Sequence, residues 1–237
     1  MLAGEIRDLA RQAGIAPAVS VLDLCCGVAG PGRFITRELG CSYLGVDFSS
    51  SAIDIARESA GDLPCRFEVR RIPPLPRGPF DVVLLLETML AFPEKQPLLQ
   101  EVSRALATGG RFAFTLEEGL PLTEAERERM PDADTVWLMP LPEMLTSLER
   151  VGLVVRWQED CSRSHRAVAD ALLGAFAADA TEIAAQIGRR ALEELLAAHR
   201  LWSVWLRDGR VRKFAFVAEK TETPRTTAVD VAAPGGS

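Results

Sequence analysis

Short apolar runs alternate with longer segments of helical period along most of the chain. This alternation predicts a parallel sheet with helices on its faces, in the α/β class. Strands are predicted over residues 19–24, 42–47, 66–70, 81–87, 111–116, 153–157 and 211–218, and helices over 2–14, 33–39, 51–60, 97–106 and 141–151. The proline-rich stretch 72–79 predicts a loop where a helix is usual. The continuous apolar run at 82–86 favours a central place for the fourth strand.

A helical insertion is predicted between the sixth and last strands, because apolar residues recur there at steps of three and four. They are Ala184, Ile187, Ala191, Leu195, Ala198 and Trp202. With a parallel sixth strand and an antiparallel last strand, the insertion at about 160–207 leaves and re-enters the sheet at its carboxyl edge, where α/β proteins bind ligands. It then roofs a pocket; the alternative is a helical pair on an outer flank. The whole is predicted as one domain, 1–220, with a flexible tail, 221–237.

Composition excludes several classes of function. The chain has 237 residues and a net charge of −6, so it lacks the basic surface that nucleic acid requires. The longest apolar run stops at Glu87, well short of the roughly 20 residues of a membrane helix. Glu5 and Asp8 near the start argue against a signal peptide and predict a cytoplasmic protein. Five cysteines without a CxxC pair, beside two histidines, predict reduced thiols and no metal site.

The most informative stretch is a strand, a glycine-rich loop and a helix at 21–33, followed by an acid at the end of the second strand. A loop that presses its backbone against a nucleotide needs small residues, and Gly27 lies at the centre of the turn. Asp47 follows Gly27 by twenty residues. A carboxylate there can accept hydrogen bonds from both ribose hydroxyls. The glycine-rich loop and Asp47 together therefore predict a nucleoside-binding site.

The glycines alone do not distinguish a dinucleotide from S-adenosylmethionine (SAM), since Cys25 replaces the first glycine of either pattern. Pro31 stands where a dinucleotide loop would offer an amide to a pyrophosphate, and proline has none. The only tyrosine, Tyr43, is not part of a Tyr-x-x-x-Lys pair. Both observations favour SAM. Asp23 offers negative charge to the methionine ammonium; a buried structural carboxylate is the alternative.

Three segments together resemble the successive motifs of class I SAM-dependent methyltransferases. They are VLDLCCGVAGPGRFITRELGCSYLGVDFSSSAIDIARE, FDVVLLLETMLAF and LLQEVSRALATGGRFAFTLEEG, between residues 21 and 119. The resemblance implies a Rossmann-like, seven-stranded, mainly parallel sheet with an antiparallel last strand and a helical cap insertion. It also implies that Asp23, Cys25, Gly27 and Ala29 line the methionine and ribose side, that Asp47 holds the ribose, and that Phe48 faces the adenine, with core packing as the alternative for Phe48.

The chain departs from this family at two places. Cys25 stands where the loop often begins with glycine, and a cysteine that turns inward preserves binding. After the third strand the family usually offers an acid to the adenine amine, whereas this chain has Arg70, Arg71 and Ile72. Backbone groups at Ile72 or stacking by Arg71 are therefore expected to replace that contact.

The candidate catalytic residues are Glu87, His165 and His199. The resemblance places Glu87 near SAM and substrate; the alternative is a strand-end acid that caps the next turn. Either histidine could remove a proton, although a surface or packing role is the commoner one for a single histidine. Acids at the presumed open edge could attract a cationic amine, or be solvated loop charge. They are Glu117, Glu118, Asp132, Asp134, Glu159 and Asp160.

The predicted function is transfer of a methyl group from SAM to oxygen, nitrogen or carbon of a small molecule. Two alternatives stay open. The protein could use SAM for cyclisation or rearrangement without methyl transfer, or it could bind SAM without catalysis. The oligomeric state is also open, with a homodimer as one option.

Overall fold

The computed structural model describes residues 1–221, which form a seven-stranded sheet flanked by helices. The strands are β1 (Ser20–Leu24), β2 (Ser42–Asp47), β3 (Cys65–Val69), β4 (Phe80–Leu85), β5 (Leu106–Glu118), β6 (Leu153–Asp160) and β7 (Arg212–Lys220). The helices are α1 (Ala3–Gln12), α2 (Gly30–Leu39), α3 (Ser50–Ala60), α4 (Lys95–Ala105), α5 (Glu124–Arg129), α6 (Leu141–Arg150), α7 (Ser162–Ala178), α8 (Ala180–Ile187) and α9 (Arg189–Arg207). Apart from Thr221, the predicted tail lies outside the described residues.

The sheet has the strand order β3-β2-β1-β4-β5-β7-β6. All neighbouring pairs among β1 to β5 are parallel, while β7 is antiparallel to both β5 and β6. The prediction of a mainly parallel sheet with an antiparallel last strand is confirmed, as is the central place of β4. The carboxyl ends of β1, β2, β4 and β5 therefore meet at one edge of the sheet.

Two predicted boundaries at this edge are wrong in a way that affects the site. Helix α2 begins at Gly30 rather than at residue 33. Ala29 caps it with a left-handed backbone, and Pro31 fits the first turn, where its missing amide hydrogen is not needed. Strand β4 ends at Leu85, so Glu87 lies two residues beyond the strand rather than at its end.

Strands β5 and β6 are longer than predicted because β7 pairs with both. The pairing of β5 with β7 reaches Glu118, and that of β6 with β7 reaches Asp160. At its other end β5 starts at Leu106, with an irregular register opposite β4. Sequence periodicity could not extend these strands, since the pairing partner of β5 lies far along the chain. No helix forms among residues 72–79, as the prolines predict.

The core consists of two apolar layers, one on each face of the sheet. In one layer the rings of Phe112, Phe114 and Phe216 stack across β5 and β7, with centroids 4.5 and 4.9 Å apart. A third, smaller cluster lies beneath the insertion and includes Leu201 and Trp205. Burial of these side chains holds the insertion against the carboxyl edge of the sheet.

The predicted insertion is helical and consists of the three helices α7, α8 and α9. Helices α8 and α9 are separated at Gly188, whose φ of 88° favours glycine. The connection before α6 contains the short helix α5, which begins with a capping box formed by Thr123 and Glu126. Within residues 1–221, none of the helices has both the length and the apolar composition of a membrane span.

Candidate functional site

The loop between β1 and α2 turns sharply because Cys25, Gly27 and Ala29 all have left-handed backbones, with φ of 55°, 53° and 55°. A Cβ atom built on Gly27 would meet no other atom within 4 Å, so the space in front of this residue is open. Ala29 is fully buried, and its side chain packs into the core. Gly27 thus leaves room for a ligand against the backbone, whereas the Ala29 side chain does not line that space.

Asp47 joins this loop to the end of β2. Its Oδ2 accepts a hydrogen bond from the Gly27 amide at 2.9 Å, and its Oδ1 accepts one from the Ser49 amide at 2.9 Å. The residue also lines a cavity of about 510 Å³, here named the first cavity. Its wall comprises Cys25, Val46, Asp47, Phe48, Arg70, Arg71, Ile72, Thr88, Ala91 and Phe92.

Phe48 and Arg71 form the open side of the first cavity. The Phe48 side chain is 67% exposed, so the alternative that it packs in the core is wrong. The Arg71 guanidinium carbon lies 5.6 Å from the centre of the Phe48 ring. An exposed ring beside a guanidinium offers a surface on which a planar base can stack. Cys25 and Ile72, also predicted from the sequence, belong to the same wall.

Asp23 lies in the core beneath the loop and does not line the first cavity. Its Oδ2 accepts a hydrogen bond of 2.5 Å from the Tyr43 hydroxyl. Burial raises the pKa of Asp23 to about 7, against the lowering effect of the Tyr43 hydrogen bond and with a further rise from Asp47. This position fits the alternative of a buried structural carboxylate. Burial and the two aspartates also raise the pKa of the Cys25 thiol to about 12, so this thiol stays protonated.

The Asp23→Asn variant is expected to change how stability depends on pH. The pKa of Asp23 rises from 3.8 to about 7 on folding, so the native state holds an extra proton between these values. Wild-type stability therefore falls as the pH rises through this window, and the variant lacks that loss. Urea unfolding measured from about pH 4 to pH 8 gives the free energy of unfolding of both proteins. The value for the variant, relative to wild type, should rise with pH by at most about 1.4 kcal/mol per pH unit. A difference between the variant and wild type that does not change with pH would contradict this assignment.

A buried charge cluster lies at the carboxyl ends of β4 and β5. The Lys213 ammonium, on β7, is 2.8 Å from Glu87 Oε2 and also donates to Glu117 Oε1. The side chains of Lys213 and Glu117 are each only 1% exposed. Glu87 has a left-handed φ of 60°, and its amide donates to Thr115 Oγ1 at 2.7 Å. These contacts hold Glu87 in a defined place beyond the end of its strand.

Lys213 was not predicted as a site residue from the sequence, although its position in an apolar strand was a usable signal. It begins an otherwise apolar run, Lys213–Ala218, in a strand buried on both faces. A lysine at such a position is almost never fully buried without a partner. The position of a lysine in a buried strand could therefore have indicated a pair with carboxylates, but its partners could not be identified without the sheet order.

The structure brings His165 to this cluster but leaves His199 apart from it. His165 Nδ1 lies 3.9 Å from Glu87 Oε2, and burial together with the Lys213 charge lowers the pKa of His165. The His199 ring packs edge-on against Phe176 at 5.0 Å, and burial lowers its pKa. Both imidazoles are therefore mainly neutral near pH 7 and able to accept a proton.

A second cavity, of about 360 Å³, lies between this cluster and the insertion. Its wall comprises Glu87, Leu90, Glu117, Met130, Pro131, Asp132, Thr135, Val136, His165, Ala198, His199 and Trp202. Helices α7 and α9 thus supply one side of the cavity, which agrees with the roof hypothesis. Since Thr88 lines the first cavity and Glu87 the second, the two cavities adjoin at this dipeptide.

Glu87, Glu117 and His165 could also serve as metal ligands, because their candidate ligand atoms all lie within 4.8 Å of one another. The Lys213 ammonium, however, contacts both carboxylates. A divalent cation would therefore have to displace or neutralise a buried lysine. The arrangement fits a carboxylate–lysine cluster better than a metal centre.

The chain is similar to known methyltransferases. A family model described as a methyltransferase domain matches residues 21–110. Methyltransferase GfsG of Streptomyces halstedii is 30% identical over 40% of this chain and 36% of its own length. Cycloartenol-C-24-methyltransferase of Arabidopsis thaliana is 26% identical over 65% of this chain and 50% of its own. The chain thus matches half or less of these two relatives.

Among solved structures, phosphoethanolamine N-methyltransferase 2 of Haemonchus contortus, in complex with SAM, superposes with a TM-score of 0.78. The match covers 92% of this chain and 53% of that one, at 19% identity, and therefore concerns the fold. The family model goes further than the fold, because the matched residues 21–110 include the glycine-rich loop and the strands β2, β3 and β4. The family model over residues 21–110 and these relatives support a class I SAM-dependent methyltransferase.

Proposed function

We propose that this protein is a SAM-dependent methyltransferase that binds SAM in the first cavity and a small-molecule acceptor in the second. The observation that carries the proposal is that the two cavities adjoin at Glu87–Thr88, at the carboxyl edge of the sheet. This is the edge at which open α/β sheets bind ligands. A donor in the first cavity and an acceptor in the second would then be neighbours at this dipeptide.

The residues of the first cavity fit SAM. Asp47 keeps unused lone pairs for ribose hydroxyls beyond its two amide bonds, since a carboxylate has about four acceptor positions. Phe48 and Arg71 would enclose the adenine, with Ile72 beside them. The open face of Gly27 leaves room for the chain of the methionine moiety. Pro31 in the first turn of α2 suits a ligand without a pyrophosphate.

SAM, when bound, supplies a methyl group on a positively charged sulfur. The protein then has to align the acceptor, exclude water and, for a protonated acceptor, remove a proton. Although burial opposes it, the Lys213 charge lowers the pKa of Glu87, aided by the Met1 ammonium, so Glu87 stays ionised. Glu87 can orient an acceptor, and neutral His165, 3.9 Å away, can take a proton. His199, further along the wall, is a second candidate for this step.

A calorimetric titration with SAM, S-adenosylhomocysteine and NADH tests the cofactor. We expect saturable binding of both adenosyl ligands and none of NADH. Asp47→Ala removes the ribose acceptor and the tie to Gly27, and should weaken adenosyl binding about a hundredfold, which corresponds to two charge-assisted hydrogen bonds at the lower end of their range. The matched control is Asp54→Ala, which removes an exposed carboxylate paired with Arg57. It should leave binding unchanged.

Binding of NADH alone, or equal binding by both aspartate variants, would contradict the proposed cofactor site. Methyl transfer itself is measured from product mass: the acceptor gains one methyl group and S-adenosylhomocysteine appears in equal amount. A product of unchanged mass, formed only in the presence of SAM, would instead favour a rearrangement.

The wider setting is also a proposal. The net charge of −6 and a cavity of about 360 Å³ support a role in small-molecule metabolism rather than on nucleic acid. The five cysteines are all unpaired, which supports a reducing compartment such as the cytoplasm. Residues 1–220 would act as a single unit, with the insertion as its cap.

A further inference from the structure

Glu117, a residue of the second cavity's wall, has a buried acceptor atom without a partner among residues 1–221. Glu117 Oε1 accepts from Lys213, whereas Glu117 Oε2 is buried and has no hydrogen-bond donor within that range. The residue lines the cavity and is 2% exposed. A buried carboxylate oxygen without a donor costs free energy, so a ligand that brings a donor would recover it.

The wall of this cavity presents only negative charge. Its charged members are Glu87, Glu117 and Asp132. The two histidines of the wall are mainly neutral near pH 7, because burial lowers the pKa of each. The same face is therefore attractive to a cation, and more so in a site from which water is partly excluded.

Three cations lie near the carboxylates of this wall but do not belong to the wall themselves. Lys213 contacts both glutamates, and the Met1 ammonium lies 3.5 Å from Glu87 Oε1. The Lys95 ammonium, on α4, donates to the carbonyl oxygens of Phe92 and Trp137. None of these three residues belongs to the cavity wall, and none donates to Glu117 Oε2. Their charges balance the cluster from outside without filling its open acceptor.

Apart from Thr135, the remaining residues of the cavity wall are apolar. Trp202 and Ala198 come from α9, and Met130, Val136 and Leu90 line other parts of the wall. Trp202 is only partly buried, and its ring lies 6.0 Å from that of Trp205 in the cluster beneath the insertion. A ligand for this space needs an apolar body as well as a polar end.

Building on the proposed function, we propose that the second cavity binds an amphipathic amine in its cationic form as the acceptor. Its ammonium donates to Glu117 Oε2 and faces Glu87, and its apolar body packs against Trp202 and its neighbours. An ammonium has several hydrogens, so it can serve both carboxylates at once. Before its nitrogen can react, the ammonium must release one proton, and His165 in the same wall is the group that accepts it. The neutral nitrogen would then bond to the methyl carbon of SAM as the bond from that carbon to sulfur breaks, which would give an N-methylammonium and S-adenosylhomocysteine.

The first test uses the wild-type protein and three probes that differ only in the polar end: 2-phenylethylamine, 2-phenylethanol and phenylacetate. Their dissociation constants are measured by ligand-observed NMR titration near pH 7.5, with S-adenosylhomocysteine present and absent. We expect the amine to bind about tenfold more tightly than the alcohol, as one charge-assisted hydrogen bond would provide. Phenylacetate should bind most weakly. Equal affinity for amine and alcohol, or no saturable amine binding, would overturn the proposal.

The second test assigns the preference to its residues. Glu117→Gln should remove most of the amine preference, whereas Glu128→Gln, on an exposed part of α5, should keep it. Trp202→Ala should weaken the binding of the amine and of the alcohol by a similar factor, since the substitution removes only apolar contact. If Glu117→Gln does not fold, the Glu117→Gln/Lys213→Met pair removes the buried charges together and should also abolish the preference. A preference that survives in a folded variant of either kind would contradict the assignment.

Two further measurements distinguish a wrong acceptor class from a wrong cofactor site and from a metal centre. S-adenosylhomocysteine is titrated into the same samples: if it binds while the amine shows no preference, the acceptor class is wrong and the cofactor site stands. If it does not bind at all, the proposed function fails instead. Mn²⁺ alone is the probe for the metal centre. Saturable Mn²⁺ binding that depends on Glu117 and blocks the amine would overturn the proposal in favour of that centre.

Discussion

Replacing Lys213 with methionine is expected to lower the free energy of unfolding by about 3–5 kcal/mol, the cost of leaving a buried charge without its partner. The Lys213 and Glu117 side chains are each 1% exposed, so water cannot replace the lost ammonium. The Glu87 side chain is 37% exposed, so water can partly solvate its carboxylate after the lysine is removed. This carboxylate nevertheless loses its closest cation. Urea unfolding monitored by circular dichroism would measure the change.

The neighbouring Arg212→Met is the matched control, because Arg212 pairs with Glu118 at 46% exposure. An exposed pair is worth about 0–1 kcal/mol, so this variant should be close to wild type. The double variant Lys213→Met/Glu117→Gln should recover much of the loss, since it removes both buried charges. A Lys213→Met protein as stable as Arg212→Met would show that the cluster is solvated and not a buried ion pair.

Lys213→Met should also alter the protonation of Glu87. In the wild-type protein the lysine is the main influence that lowers the pKa of Glu87 against burial. A carboxylate with a lowered pKa stabilises the fold above its unfolded pKa, and that stabilisation is lost as the pH falls through the folded value. In the variant, burial prevails and the pKa of Glu87 should rise. The NMR titration of Glu87, compared between the two proteins, reports this directly.

Gly32→Ala should be strongly destabilising, by about 3 kcal/mol, through overpacking. A Cβ atom at position 32 would overlap the Tyr43 side chain, well inside contact distance of both its hydroxyl oxygen and its Cζ. Tyr43 is fully buried and donates to Asp23, so its ring cannot move away without breaking that hydrogen bond. The start of α2 and the loop before it would have to shift, and we therefore expect weaker SAM binding as well.

Gly30→Ala offers a control two positions earlier on the same helix. A Cβ atom at Gly30 would meet nothing within 4 Å. Alanine at this position should raise the free energy of unfolding by up to about 1 kcal/mol, because it lowers the backbone entropy of the unfolded chain. Thermal and urea unfolding should therefore show a lower stability than wild type for Gly32→Ala and a higher stability for Gly30→Ala. Equal stability of the two would mean that the approach of α2 to Tyr43 is looser than the structure shows.

The cofactor loop was largely predictable because its constraints are local. A turn that leaves a strand, admits a backbone contact and enters a helix needs a small residue at Gly27, and the partner acid follows at the end of the next strand. The structure joins the two through the 2.9 Å hydrogen bond of Asp47 to the Gly27 amide. Phe48, Arg71 and Ile72 follow the same logic, since each comes shortly after a strand end on the ligand side of the sheet.

The direction in which a side chain points was less predictable. Asp23 and Ala29 belong to the same motif as Gly27, yet both are buried beneath the loop. Spacing in a turn defines where the backbone passes, whereas burial depends on what packs behind it, here Tyr43 and α2. Helix α2 also begins earlier than expected, because a left-handed residue at 29 can initiate a helix in a way that composition does not reveal.

The sequence by itself determined the class of fold, the order of its strands and the sharp turn at Gly27, since periodicity and turn chemistry act over a few residues. Only the tertiary structure decided which distant groups meet at the second cavity. Lys213 and Glu117 are 96 positions apart, and Lys213 and Glu87 are 126 apart. Their contact depends on β7 lying antiparallel beside β5, a pairing produced by burial of both strands in one core. Local propensity contains no information about that pairing, so the charge cluster and its unpartnered oxygen became visible only in the folded residues 1–221.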